Sequence, residues 1–418
     1  MKLKVTIVNV ALRGTSIVAK LMLTIMVGRL MGLTDLGLYG LISAGTILVP
    51  AVASLGLMSL VGRELVRQTP AELIFNLKHY GPVVALFYLL AIPLGFLVAT
   101  RLGYPPVLAL LTVAVIALEH VSGDAITILN NRTRYLLANV ILFIKSGAWM
   151  IVFVAIALLW PAAGMATLDH LLVFWSLACG LAILVFLFAT RSWPWLGVLP
   201  TRLSLDWYRR RSRNAALLLV NDISNNVALY VDRYILVLFL GLEASGIYFF
   251  FWSATNAAFN VVQTGVVWAH RGHMIKAHGQ SDEATFAASL RSLIRESASI
   301  TLALSAGLLI VFPFVVGLLD QAGTGQYPLL LWLLVAGLAL RVAVDIAGQA
   351  LYTRGLDELL VSTSFAMLPL SVALNVALTP LLGIYGAAVA WIVNCGLIIA
   401  VRTIFFDARA PRPTGLTP

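Results

Sequence analysis

The 418-residue chain is 61% hydrophobic and only 11% charged, with a mean hydropathy of +0.96 and a formal net charge of +10. Soluble domains carry roughly a quarter charged residues, so this composition excludes a water-soluble globular fold; bilayer is the solvent that fits it. Cys179 and Cys395 both lie in apolar windows, which argues against a disulfide framework.

A membrane-spanning helix needs about 20 largely apolar residues. Twelve such windows follow one another, at 5–28, 38–60, 81–100, 105–128, 136–160, 168–189, 215–240, 246–268, 297–319, 327–351, 358–380 and 384–405. The first begins directly after Met1-Lys2-Leu3-Lys4, lacks a small-residue cleavage site and is interrupted by Arg13 and Lys20. It reads as a retained first helix and not as a removed signal peptide. Orientation follows from basic residues in short loops. Twenty-one of the 28 Lys and Arg fall on one side, among them Lys2, Lys4, Arg67, Lys78, Arg132, Arg134, the arginines of 202–213, Arg354, Arg402, Arg409 and Arg412. Arg29 and Arg101 alone mark the other. Both termini are therefore expected in the cytoplasm of a bacterial inner-membrane protein. The positive charge reads as a topology signal and an affinity for anionic headgroups, with no nucleic-acid partner implied.

The longest polar stretches are about 190–214 and 269–296, and neither can house a domain. The first joins Trp193-Pro194-Trp195 to Arg209-Arg210-Arg211; it reads as a basic connector, or as a segment at headgroup level. The second holds His270, His273 and His278 with no acidic or thiol partner at ligand spacing, so a solvated loop is expected and no metal. Ser281-Asp282-Glu283 reads as an N-cap and acidic first turn.

The chain repeats itself. Gly32-Leu33-x-x-x-Gly37-Leu38-Tyr39 returns as Gly241-Leu242-x-x-x-Gly246-Ile247-Tyr248. Pro93 matches Pro313, Tyr104-Pro105 matches Tyr327-Pro328, and Trp175-x-x-x-Cys179-Gly180-Leu181 matches Trp391-x-x-x-Cys395-Gly396-Leu397. Each half, 1–200 and 201–418, has an even number of spans and so inserts with the same orientation. The expected fold is an all-α polytopic membrane protein: about twelve transmembrane helices in two parallel-repeat six-helix bundles around a central cleft.

Several blocks carry a family resemblance. Gly28-Arg29-Leu30-Met31-Gly32 with Gly37-Leu38-Tyr39, Asp232-Arg233-Tyr234-Ile235-Leu236 with Gly241-Leu242 and Gly246-Ile247-Tyr248, and Gly383-Ile384-Tyr385-Gly386-Ala387-Ala388 resemble helix-start blocks of polysaccharide exporters. The resemblance is to the polysaccharide transporter family, Wzx-type O-antigen flippases included, of the multidrug/oligosaccharidyl-lipid/polysaccharide exporter superfamily. It implies a non-enzymatic flippase. Its substrate would be an undecaprenyl-pyrophosphate-linked oligosaccharide moved to the periplasmic leaflet for surface polysaccharide. Membrane lipids and other polysaccharide-assembly proteins are the implied partners, and no cofactor is implied. The peptidoglycan lipid flippases of the superfamily carry two further C-terminal helices, and this chain ends after the twelfth.

Charged residues inside spans are expensive and face a partner or a wet cavity. Arg13 and Lys20, seven residues apart, share one face of the first helix, about 10.5 Å apart along its axis. They suit a pyrophosphate, which the planar Arg fork binds bidentately; the other reading is neutralisation by acids of neighbouring helices, with Lys20 reaching outward. Asp222, Asn226 and Arg233 fall on one stripe of the seventh span, and the offset of 209 makes Asp222 the counterpart of Arg13. Asn256 and Asn260 extend a polar stripe in the eighth span; these seven residues are the substrate-cleft candidates, although helix–helix hydrogen bonding accounts for the amides equally well. Glu119, Asp124, Lys145, Arg341 and Asp345 are coupling or structural charges. Arg341 and Asp345 are expected to pair with each other, and Glu119 either pairs with Lys145 or binds a coupling ion.

No G-x-x-x-x-G-K-[ST] or G-x-S-x-G motif is present, so transport would draw on an ion gradient, the membrane potential or consumption of product. The rivals are a cation-coupled multidrug exporter of the same superfamily, a major-facilitator transporter and, more remotely, a membrane polysaccharide polymerase or ligase. Reporter fusions test the orientation: those after Lys78, Arg134 and Arg213 should read cytoplasmic and those near Gly103 and Gly323 periplasmic. A periplasmic reading at Arg213 would refute the span count.

Overall fold

The computed structural model describes residues 2–64, 68–280, 282–317 and 324–408. Arg67, Ser281, Gly323, Arg409 and Arg412 lie outside the described residues. Among the described residues all regular structure is helical: α1 Lys2–Leu30, α2 Leu33–Ala53, α3 Leu57–Glu64, α4 Pro70–Arg101, α5 Pro106–Asn131, α6 Tyr135–Leu159, α7 Leu168–Ala189, α8 Leu205–Val262, α9 Trp268–Gly279, α10 Glu283–Gly317, α11 Pro328–Thr353, α12 Asp357–Leu382 and α13 Ile384–Ala408. Eleven described helices are long and apolar enough to cross a membrane. The longest of these stretches, Asn226–Gly279, runs across a break at Gly241 and holds the end of the seventh predicted span with all of the eighth.

Helix starts explain where boundaries differ from the predicted ones. The third span, expected from 81, begins at Pro70 because Thr69 and Glu72 form a reciprocal capping box around a proline at the first helical position. The second, expected as one helix over 38–60, is two: α2 and α3 are separated at Leu55 (φ 47°) and Gly56 (φ 71°). With Ser281 outside the described residues, the cap of α10 is Asp282, whose Oδ1 accepts the Thr285 N–H at 2.9 Å. The Thr285 side chain and backbone N–H together hold the exposed Asp282 carboxyl below the usual carboxylate range.

Two compact units divide the chain, one up to Tyr230 and one from Val231. In the first, Val61, Leu73, Ile74, Leu129 and Ile141 are fully buried in a core to which α2 to α8 contribute. In the second, Val262 and Leu338 centre one core and Met274 and Leu293 another. Large apolar residues such as Leu89, Leu159, Leu238 and Phe314 are exposed, as lipid-facing positions require.

The 190–214 connector is not a loose loop. Trp193 is buried and stacks on Trp195, with centroids 6.0 Å apart, and the Trp195 indole donates to the Thr190 carbonyl at 2.9 Å. Lys78, counted above as a loop cation, is buried in α4 and grips the Thr201 and Arg202 carbonyls at 2.9 Å each. The Ser204 N–H donates to His79 Nε2 at 2.9 Å, and Trp207 donates to Asn76 Oδ1 at 2.7 Å. Arg402, also counted as a loop cation, is buried in α13; it donates to Val344 O at 3.1 Å and to the Thr363 and Ser364 hydroxyls at 3.3 and 3.4 Å. The histidine stretch likewise differs from a solvated loop. His270 and His273 lie in α9, and acids of α10 approach the histidines: Glu296 Oε1 lies 3.5 Å from His270 Nε2, and Glu283 Oε1 lies 3.9 Å from His278 Nδ1.

The internal repeat has a backbone counterpart. Gly32 adopts φ 95°, ψ 171° and Gly241 adopts φ 86°, ψ 177°. This region is essentially open to glycine only; in each half it breaks the helix between consecutive spans. Beyond the break, Tyr39 and Tyr248 are both fully buried, as are Cys179 and Cys395. The Tyr39 ring lies 6.0 Å from Trp175, the residue that opens the repeated Trp-Cys block. Gly386, in the third family-like block, has another purpose: a Cβ there would stand 2.2 Å from Leu378 O, so α13 meets the α12 backbone directly. Gly241→Ala should lower stability by about 1–3 kcal/mol, read as a fall in the thermal unfolding midpoint in detergent. Gly180→Ala, inside α7 with open space at its Cβ, should keep the midpoint or raise it, since alanine is the better helix former.

Candidate functional site

Arg13 lies half-buried in α1, and its Nε donates to Asn139 Oδ1 at 2.9 Å. Asn139, itself buried, comes from the first turns of α6. The guanidinium is thereby oriented by an amide at its Nε. Lys20, two turns along α1, is exposed. The sequence reading missed Asn139; its signal was a lone amide in the apolar run Tyr135–Phe143.

Asp222 belongs to the same unit as Arg13. Its carboxylate accepts the Ser59 hydroxyl at 2.5 Å, and its carbonyl accepts from Asn226 Nδ2 at 2.8 Å. The division between the units falls within the polar stripe of the seventh span, with Asp222 and Asn226 before it and Arg233 after it.

Arg233 is 1% exposed. Its guanidinium lies 4.1 Å from the Trp252 ring centroid and 4.8 Å from that of Phe249, a cation–π arrangement in a desolvated setting. Asp232 Oδ1 accepts the Arg233 N–H at 2.8 Å. The amide stripe of the eighth span is partly satisfied along its own helix, since Asn260 Nδ2 donates to Asn256 O at 2.8 Å.

The charges of α5 and α6 form a connected network. Lys145 sits in a π-helical stretch, Ile144–Ala148, and is ion-paired with Glu119. Glu119 Oε1 also accepts the Trp175 indole N–H at 2.7 Å. One turn along α5, Tyr80 donates to Asp124 Oδ2 at 2.8 Å and lies 2.8 Å from His120 Nε2, while the Tyr88 hydroxyl lies 3.1 Å from His120 Nδ1. The sequence reading singled out the carboxylates but not the two tyrosines of α4 that reach them. Arg341 and Asp345 do not pair as expected. Asp345 Oδ2 accepts from Gln263 Nε2 at 3.2 Å, Arg341 lies 5.2 Å from the Phe259 ring centroid, and no ion pair joins the two among the described residues. Four-residue spacing put both on one face of α11, but each side chain meets a different neighbour from the stretch 259–263.

Among the described residues no cluster of His, Cys, Asp and Glu could hold a metal ion. Removing one partner of a buried ion pair strands the other, at about 3–5 kcal/mol. Lys145→Met should therefore lower the unfolding midpoint and protein abundance markedly. Glu119→Gln in the same chain should recover much of the loss, because the amide oxygen still accepts from Trp175. Thermal unfolding of the single and double variants checks this.

No protein-family model matches the chain, and no curated protein matches it in sequence. Solved structures do. An inward-facing MATE-family multidrug transporter of the MOP superfamily aligns with TM-score 0.71 and 15% identity, over 96% of this chain and 97% of its own. The lipid II flippase MurJ, in an inward closed conformation, aligns with TM-score 0.74 and 13% identity, over 96% of this chain and 87% of its own. A MOP-superfamily transporter from Pyrococcus furiosus aligns with TM-score 0.64 and 15% identity, over 96% and 93% of the two chains. At such identities the likeness concerns the fold: this chain is a multi-pass helical membrane protein with the fold of MOP-superfamily transporters and flippases.

Proposed function

We propose that the protein is a flippase for a lipid-linked oligosaccharide. It would move a polyprenyl-pyrophosphate-linked sugar unit between leaflets by alternating access of two bundles. The observation that carries this reading is Arg13. An arginine within a spanning helix is tolerated where it meets water, a partner or an anion, and Asn139 Oδ1 fixes this one through its Nε. A planar fork held in this way suits the paired oxygens of a diphosphate. Lys20, exposed on the same helix, adds a second cation. The resemblance of the helix-start blocks to polysaccharide exporters and the fold shared with a lipid flippase support the same class. Surface-polysaccharide synthesis in a bacterial inner membrane, with both termini cytoplasmic, is the setting we assign. No nucleotide-binding motif is present in the sequence, so transport should run without ATP.

The fold shared with MATE transporters favours one second reading, export of cationic drugs. A cation carrier has no use for Arg13 and Lys20 at its site.

The test is flipping of a polyprenyl-pyrophosphate oligosaccharide in sealed vesicles. Arg13→Ala should reduce the rate by about 10–100-fold, the equivalent of one charge-assisted hydrogen bond at about 1.5–3 kcal/mol, at normal protein level. Arg13→Lys should keep part of it, since the charge remains and the fork is lost. Replacement of the exposed Arg29 should matter little. Full function of an Arg13–Asp222 charge swap, or organic-cation export unaffected by Arg13→Ala, would refute the reading.

A further inference from the structure

The stretch from the end of α7 through the first turns of α8 has features that neither the fold nor flipping requires. Residues 190–214 carry six arginines against one acid, Asp206. Arg202, Arg209, Arg210 and Arg213 are exposed, and none is ion-paired among the described residues. Interleaved with them, Leu196, Leu199, Leu203 and Leu205 are 90, 46, 52 and 84% exposed. A connector facing water would gain nothing from four bare leucines, and one facing acyl chains would not carry the arginines. Only the boundary between headgroups and acyl chains satisfies both sets.

The segment is also held in place from beneath. Lys78 binds two of its carbonyls, His79 accepts one of its N–H groups, and Trp207 is tied to Asn76. Between it and the start of α4 lies a groove of about 680 Å³, lined by Arg202 and Arg211 with Phe75, Val198 and Trp207. Arg211 lies over the Trp207 ring at 4.9 Å and pairs with Glu64 at 2.7 Å, yet its Nε has no hydrogen-bond partner among the described residues. Glu72, also at the groove, accepts from the Thr69 N–H and hydroxyl at 2.7 and 2.9 Å, so its charge is already engaged.

We propose that this segment is a headgroup-level binding site for an anionic phospholipid. Arg202 and Arg211 meet the phosphate, Arg209, Arg210 and Arg213 attract the surrounding anionic surface, and the four leucines sit among the first acyl carbons. The interleaved leucines favour lipid over an acidic protein, which would pair with the arginines but leave the leucines bare. The site is separate from Arg13 and stands whether or not the flippase reading does.

Full-length protein, taken from nanodiscs of equal phosphatidylglycerol and phosphatidylcholine into mild detergent, tests this by native mass spectrometry of the retained lipid. The unaltered protein should retain phosphatidylglycerol over phosphatidylcholine by at least about tenfold, given five basic side chains near the surface. The variant R202Q/R209Q/R210Q/R213Q should lose most of that preference at an unchanged unfolding midpoint. A bimane attached at Leu205→Cys in an otherwise unaltered chain should be quenched by nitroxide lipid more than by aqueous iodide; the native cysteines are buried and stay unlabelled. Equal retention of the two lipids, or quenching by iodide alone, would overturn the proposal and leave the basic face to an acidic protein. Loss of the preference with inorganic phosphate at the concentration of the lipid would overturn it in favour of free phosphate.

Discussion

Inside a bilayer no water is at hand to satisfy a polar group, so each must find its partner within the protein. The ion pair of Lys145 with Glu119 is the clearest case. Its acid is completed by the Trp175 indole, which joins α5, α6 and α7 at one point. Arg402 solves the same problem through one carbonyl and two hydroxyls from α11 and α12. Arg233 solves it with aromatic faces. These are three ways of keeping a cation in an apolar setting, and the first two fix helices against one another. Arg13 is secured by the same logic, with a neutral amide at its Nε.

The two units share a plan and differ in chemistry. Each opens a span with a glycine that only glycine can fill, and buries a tyrosine seven residues later. The polar groups mounted on that plan are unlike. The first unit joins His120 and Asp124 to tyrosines of α4 and pairs Lys145 with Glu119, while the second sets Asp345 beside an amide, Arg402 among hydroxyls and Arg341 over an aromatic ring. The small residues of the repeated blocks follow from helix packing and hold for any cargo.

Much of the fold was legible because spanning segments leave a strong signal: composition gave the bilayer, and apolar windows gave helices where helices stand. The errors lie where a local rule competes with hydropathy. The capping box at Thr69 starts α4 eleven residues before its apolar window, and the break at Leu55–Gly56 splits a window that is apolar throughout. Site residues were less legible. Spacing along one helix suggested Arg341 with Asp345, yet the partners that matter arrive from other helices, as Asn139 does for Arg13 and Gln263 for Asp345. Counting Lys78 and Arg402 as loop cations failed for the same reason: their partners are distant in sequence.

The contact between Ser59 and Asp222 joins residues 163 positions apart. Arg211 likewise reaches back 147 positions to Glu64. At about 5–20 residues per second during synthesis, the earlier residue of the Ser59 pair waits roughly 8–33 s for its partner to be made. The first unit therefore cannot close while its own helices are being laid into the membrane. Through that interval Glu64 and the turn at Leu55–Gly56 stand without their final neighbours, a window in which a membrane chaperone or protease would find this chain most open to recognition.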